Sequence, residues 1–252
     1  MFNLLQKISL LLASAVMGWS VYAQDVTTMV KNADQFRLDS DAAKVVTLVS
    51  LFEHGQLDKM RQYNVYTRKN RDSLVMFKSQ VEAGQKMLML DDNYWLVMPK
   101  SRRPIRITPM QKLLGEASVG DISTLTWSED YQPSWISAET LMVEGQAMSV
   151  NHLNLIAVTP GASYQKIELW LDQNDDFPLK ANLYLRSGKL AKQAWFDKGE
   201  RDGKTRVTAM TLLDQIQPAK KTLIEYQSIT PMVLDEKYYN PAYLVRNALS
   251  EL

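Results

Sequence analysis

The chain has 252 residues, with 29 basic against 28 acidic side chains, 46% hydrophobic residues and no cysteine. Near-neutral charge provides no electrostatic footprint for nucleic acid, and the lack of cysteine excludes disulfides, thiolate metal sites and a lipidated cysteine anchor. There are two histidines, and the sequence carries no H-E-x-x-H, no G-x-S-x-G and no glycine-rich phosphate loop, so no familiar metal, catalytic or cofactor motif is present.

Lys7 followed by the apolar run Ile8 to Val21 reads as a secretory signal, with Val21-Tyr22-Ala23 placing cleavage before Gln24. The run is too short to span a hydrocarbon core of about 30 Å comfortably. Residues 24–252 are then expected to form one exported, soluble domain with equal numbers of acidic and basic side chains.

Val26, Met29, Val30 and Ala33 recur at helical spacing, so a helix is expected over 25–36 with Asp25 as its cap. From Val45 the period becomes that of strands. They are expected near 45–54, 57–68, 73–79, 86–91, 94–98, 140–148, 151–158, 165–172, 179–186, 189–197, 204–214 and 221–228. The dipeptides His54-Gly55, Glu144-Gly145, Pro160-Gly161, Ser187-Gly188 and Asp202-Gly203 supply turns, as does Asp91-Asp92-Asn93. Short turns between consecutive strands predict an antiparallel meander, an α+β fold that is mainly antiparallel β. Thr108-Pro109 and Asn240-Pro241 are helix-start signals. The first predicts a helix over 109–119 with Met110, Leu113, Leu114 and Ala117 on one face, ended by Gly120. The second places Leu244, Ala248 and Leu249 on one stripe.

Most strands alternate apolar and polar residues, but Leu74 to Phe77, Met87 to Leu90 and Tyr94 to Met98 are apolar on both faces. Such strands need cover on both sides, one from helices and one from the opposite wall of a curled sheet. Met76, Met87, Met89, Trp95 and Met98 either line a pliable site for acyl chains or fill gaps in an ordinary core. Lys100, Arg102, Arg103 and Arg106 form the one dense charge patch, suited to phosphate head groups or an acidic membrane surface, or else a solvated loop. His54 and His152 are the candidate general bases for a lipid-active hydrolase. The paired carboxylates lie in turns.

Trp95 to Pro99, Arg102 to Ile107, Leu113-Leu114-Gly115, Gly120-Asp121-Ile122 and Glu129-Asp130-Tyr131 together resemble the outer membrane lipoprotein-sorting family, the broad LolA-like group. The likeness continues through Pro160 to Tyr164, Ile167 to Leu171, Pro178 to Ala181 and Ser187-Gly188-Lys189, and spans roughly residues 33 to 245. It implies an incomplete antiparallel β-barrel closed by helices like a lid. The barrel would hold acyl chains of a lipoprotein or lipid in the periplasm, without catalysis, cofactor or metal. Met76, Met87, Met89, Trp95, Met98, Leu113 and Leu114 would then contact lipid, and Arg102, Arg103 and Arg106 the head group or membrane. An inner-membrane exporter of the resistance-nodulation-division (RND) class is the partner the resemblance implies. The missing anchor cysteine departs from the lipid-anchored receptor branch and favours a soluble shuttle.

Overall fold

The computed structural model describes residues 17–252 except 39, 70, 124, 125, 216–218, 250 and 251. The expected leader therefore lies largely outside the described residues. In chain order the elements are helix α1 (Met17–Arg37), then β1 (Ala43–Glu53), β2 (Gln56–Arg68), β3 (Asp72–Phe77), β4 (Lys86–Leu90), β5 (Asn93–Val97) and β6 (Ile105–Ile107). Next come β7 (Lys112–Leu114), β8 (Ala117–Ser118), helix α2 (Val119–Ser123), β9 (Tyr131–Val143), β10 (Gln146–Ala157), β11 (Lys166–Asp172) and β12 (Pro178–Tyr184). The chain ends with β13 (Leu190–Arg201), β14 (Lys204–Asp214), β15 (Lys220–Pro231) and helix α3 (Pro241–Arg246).

Thirteen strands form one antiparallel sheet in the order β6-β5-β4-β3-β2-β1-β15-β14-β13-β12-β11-β10-β9, and β7 pairs only with β8. The sheet is an open, barrel-like meander. Its turns are the expected ones. His54-Gly55, Glu144-Gly145 and Asp202-Gly203 each place two consecutive residues at positive φ, which matches the twist of the flanking strands.

Three local expectations fail. Helix α1 passes straight through position 25, so Asp25 does not cap it. The strand expected over 140–148 is really the tip of a hairpin, β9 turning at Glu144-Gly145 into β10. Before position 140 the strand carries Pro133, which is tolerated because β9 is an edge strand. Finally, 109–119 is not a helix. Gly115 takes φ +56, and a Cβ there would lie 2.4 Å from Thr222 Oγ1 and 2.8 Å from Leu51 Cδ1. The chain therefore turns between β7 and β8, with the Glu116 amide donating to Thr222 Oγ1 at 2.9 Å. Leu113, Leu114 and Ala117 still pack on the main core, but from a small hairpin. The second helix start is as expected: Asn240 Oδ1 accepts from the amides of Ala242 and Tyr243.

Both faces of β3 to β5 are covered. Val75, Phe77, Met87, Met89 and Tyr94 join the main core inside the curl. Leu74, Met76, Leu88 and Val97 lie under Tyr239, Leu244, Leu249 and Leu252 on the outside. The C-terminal segment is tied there by polar bonds as well. Lys86 Nζ donates to the carbonyls of Leu244 and Asn247, at 3.1 and 2.8 Å, and the Tyr66 hydroxyl donates to that of Leu252 at 2.8 Å.

The two ends of the sheet meet through side chains. Arg71, between β2 and β3, reaches Asp130 at 2.8 Å, Asp92 at 3.1 Å and Asp91 at 3.2 Å. Asp92 Oδ1 also accepts from the Gly161 amide at 2.7 Å, and the Tyr94 hydroxyl donates to the Gly161 carbonyl at 3.2 Å. Asp130 accepts from Thr159 Oγ1. This clasp joins the β4–β5 turn to the β10–β11 loop across the gap that backbone pairing leaves open. A Cβ at Gly161 would lie 2.5 Å from Asp92 Oδ1 and 2.9 Å from Asp92 Cα, so nothing larger than glycine fits. Gly161→Ala should cost about 2 kcal/mol by forcing the clasp apart. A urea titration checks this, and an unchanged midpoint would show that the clasp does not hold the sheet ends.

Candidate functional site

The curled sheet presents an apolar inner wall, including Val49, Met87, Met89, Leu153, Leu169, Phe196 and Leu212. Two pieces that are not part of the sheet fill the space before it. Helix α1 inserts Val26, Val30 and Ala33, all fully or nearly fully buried. Residues 108–130 add Leu114, Ala117, Val119, Ile122 and Trp127. Between these pieces and the wall remains a cavity of about 30 Å³, lined by Trp127, Tyr131, Tyr164, Ile167, Phe196 and others. That is room for about two waters. The interior is apolar and largely filled by the protein's own chain.

Two polar anchors fix this filling. The Asp34 carboxylate on α1 accepts from the amides of Trp127 and Ser128 at 2.7 and 2.8 Å, and the Arg37 guanidinium stacks over the Trp127 ring at 4.1 Å. Burial pushes Asp34 up to about 6, against the pull of the Ser128 amide and the Arg37 charge. In the second anchor, Asp121 of α2 pairs with Lys192 of β13 at 2.8 Å, both side chains being 3% exposed. It also accepts from Ser118 and from the Tyr164 hydroxyl at 2.7 Å. Burial alone would raise Asp121, but the Lys192 ammonium and the Ser118 donors outweigh it and hold the carboxyl below its usual range. Both anchors bind a filling piece to something beyond itself.

The residues expected at the site divide by face. Met87, Met89, Leu113 and Leu114 pack in the inner cluster. Met76 and Trp95 face outward, into the cluster under the C-terminal segment, and are not brought together with the others. Met98 lies just past β5, half buried. Arg102 and Arg103 are exposed in the bend before the edge strand β6. Arg106 lies over the Trp95 ring at 4.7 Å and bonds Asn93 at 2.6 Å. His54 occupies an exposed turn. His152 stacks on Trp170 at 4.2 Å with Glu139 3.6 Å from its Nδ1, and burial pushes it down. Neither histidine is among the residues lining this cavity. Among the described residues no cluster of three or more His, Asp or Glu is placed to hold a metal ion.

The anchors were missed in the sequence although the signal was there. Asp34 and Arg37 continue the stripe of Val30 at helical spacing, and Lys192 alternates with Ala194 and Phe196 on the buried face of β13. A charge on an apolar stripe marks a buried pair. The Arg71 clasp left no such trace, because its partners come from four separate turns.

The architecture is an open antiparallel sheet whose apolar interior is filled by a helix and by the segment after β6, and solved structures share it. A family model described as "Uncharacterized protein" matches residues 69–246, and the chain belongs to that family. A LolA superfamily protein from Nitrosomonas europaea superposes with a TM-score of 0.78 at 25% identity, over 86% of this chain and 98% of that one. A DUF1329 family protein from Desulfovibrio piger gives 0.70 at 20% identity, covering 88% and 99%. A domain described as an outer membrane lipoprotein-sorting protein, from Vibrio parahaemolyticus, gives 0.68 at 21%, covering 89% and 100%. No curated protein matches the sequence. The fold is that of the LolA superfamily.

The Asp34 anchor has a pH signature. Because the folded state binds this proton more tightly than the unfolded chain, the stability tied to it is full at low pH and is lost as pH rises through about 6. From pH 4 to 7 the wild type should lose on the order of 3 kcal/mol relative to Asp34→Asn. Melting curves of both proteins across that range check this. Parallel profiles would contradict it.

Proposed function

We propose that this protein is a periplasmic carrier that takes up the acyl chains of a lipoprotein or lipid in the space now filled by α1 and residues 108–130. One observation carries the reading: the apolar inner wall is complete without those two pieces, which contribute no strand to the main sheet. Val26, Val30 and Ala33 of α1 bury apolar surface worth on the order of 5 kcal/mol. An acyl chain gains about 0.8 kcal/mol per buried CH₂, so roughly six methylenes offset the withdrawal of those three side chains. A longer chain loads, and the helix stands ready to refill the space on release.

The same reading places the protein in transit toward the outer membrane after its signal is removed before Gln24. An inner-membrane exporter of the RND class is the partner that would load it. Met87, Met89, Leu113 and Leu114 would line the tail. Met76 and Trp95 would contribute only if the outer cluster also opened, and Met98 lies half buried just past β5. The exposed Arg102 and Arg103, with Arg106 beside them, suit contact with an acidic membrane surface. No helix among the described residues is long and apolar enough to cross a membrane.

Native mass spectrometry of protein purified from an envelope extract should show a co-purified lipid or acylated peptide. A fluorescent fatty acid should bind the stripped protein. Absence of both would overturn the carrier reading. Val30→Asp tests the moving part. A carboxylate cannot be buried there cheaply, so α1 should withdraw while the sheet stays folded, and uptake of an apolar dye should quicken. Global unfolding with unaltered uptake kinetics would show α1 to be fixed core.

A further inference from the structure

The two margins of the main sheet differ. β6 spans three residues, with Arg102 and Arg103 in the bend before it, whereas β9 spans thirteen. Among the described residues no strand pairs with the outer edge of β9. Proteins blunt long edges with proline, bulges or lysine. On β9 such devices sit in the first half alone. Pro133 lacks an amide hydrogen, and Ile136 is passed over where Ser137 pairs with His152 and Trp135 with Leu153, which makes a bulge. Residues 137–143 have neither device. The turn at Glu144-Gly145 closes on the pair Val143 and Gln146. In a two-residue hairpin that closing pair bonds inward, so the backbone groups of Ala138, Thr140 and Met142 point away from β10. All three residues are exposed.

The edge also has a sign. Between Lys112 and Lys166 the chain has no lysine or arginine, and Glu139 and Glu144 stand exposed on the hairpin. Glu139 accepts from the Trp170 indole and lies 3.6 Å from His152, which burial pushes toward its neutral form. Lys180 of β12, over the Trp170 ring at 4.7 Å, faces the same carboxylate. Strand alternation places Glu139 on one face of β9 and Ala138, Thr140 and Met142 on the other.

We propose that residues 137–143 of β9 receive an extended segment of another protein as a further strand, with lysine or arginine on its Glu139 side and apolar residues on its Met142 side. The inference is independent of the carrier reading. Main-chain bonds to the outward backbone groups hold such a segment, and its side chains select it. Met142 is 58% exposed and Trp135 46%, so apolar contact is on offer at both ends of the stretch. A second copy of this chain fits the edge poorly. Pairing β9 with its own copy supplies no cation to Glu139 or Glu144, and β6, although flanked by arginines, is too short to fill residues 137–143.

The test titrates the whole protein with two capped octapeptides, one of Lys-Val repeats and one of Glu-Val repeats. The lysine peptide should bind about tenfold more tightly at low salt, a preference that falls as salt is added. The amides of Ala138, Thr140 and Met142 should then gain protection from hydrogen exchange. Glu139→Gln should weaken the lysine peptide about threefold. Thr140→Pro removes an outward amide at a position where an edge strand tolerates proline, and should weaken it about tenfold at an unchanged melting temperature. A lysine peptide with every amide N-methylated keeps its charge and should fail to bind the unaltered protein, an arm that does not depend on how the proline variant folds. Equal binding of both peptides, binding of neither, or an affinity untouched by methylation of the peptide would overturn the inference. A concentration-dependent dimer that Thr140→Pro dissolves would assign the edge to a second copy and also overturn it.

Discussion

A sheet that curls without closing cannot leave its inner face to water. Here thirteen strands expose an apolar wall to the inside of the curl, and the edge strands β6 and β9 do not pair with each other. Each remaining feature of the fold meets that constraint. Helix α1 and residues 108–130 fill the concavity, the C-terminal segment covers the outer face of β3 to β5, and the Arg71 clasp draws the sheet ends together. A barrel closed by backbone pairing would need none of these, and it would also have no way to exchange its contents.

The filling pieces are held differently from the wall. Strands are secured by ladders of backbone bonds along their length, whereas α1 depends on a short apolar stripe and on Asp34. A carboxylate that burial pushes up to about 6 costs free energy when it ionises near neutrality, so the anchor specifies where the helix sits more than it stabilises it there. The Asp121–Lys192 pair has the same character, since a buried pair offsets its own desolvation and adds little. Wall and filling are therefore held by different kinds of interaction, a difference that the proposed carrier function relies on.

Much of the sheet was legible because its turns carry dipeptides with a mechanical reason to be there. His54-Gly55 and Asp202-Gly203 marked two hairpins within the chain, whereas a strand was expected straight through Glu144-Gly145. The doubly apolar strands announced a covered outer face before its cover was known. The concavity was less legible. Met110, Leu113, Leu114 and Ala117 have helical spacing, but Gly115 packs so close to Thr222 and Leu51 that the segment must turn, and that close approach is a tertiary fact absent from local pattern. The first half of β9, with Pro133 tolerated at the sheet edge, was not expected. The division of Met87 and Met89 from Met76 and Trp95 follows from strand alternation, yet which face is inner depends on the direction in which the sheet curls. The clasp draws on turns remote from one another in sequence, and only the assembled sheet brings them within reach.

Amide hydrogen exchange tests the removable filling most directly. If wall and filling are separable, amides of residues 26–37 and 119–123 exchange through an opening of lower free energy than global unfolding. Adding a fatty acid should speed their exchange further while the central strands β1, β14 and β15 stay protected. Exchange of α1 only through global unfolding, unaltered by fatty acid, would contradict the account.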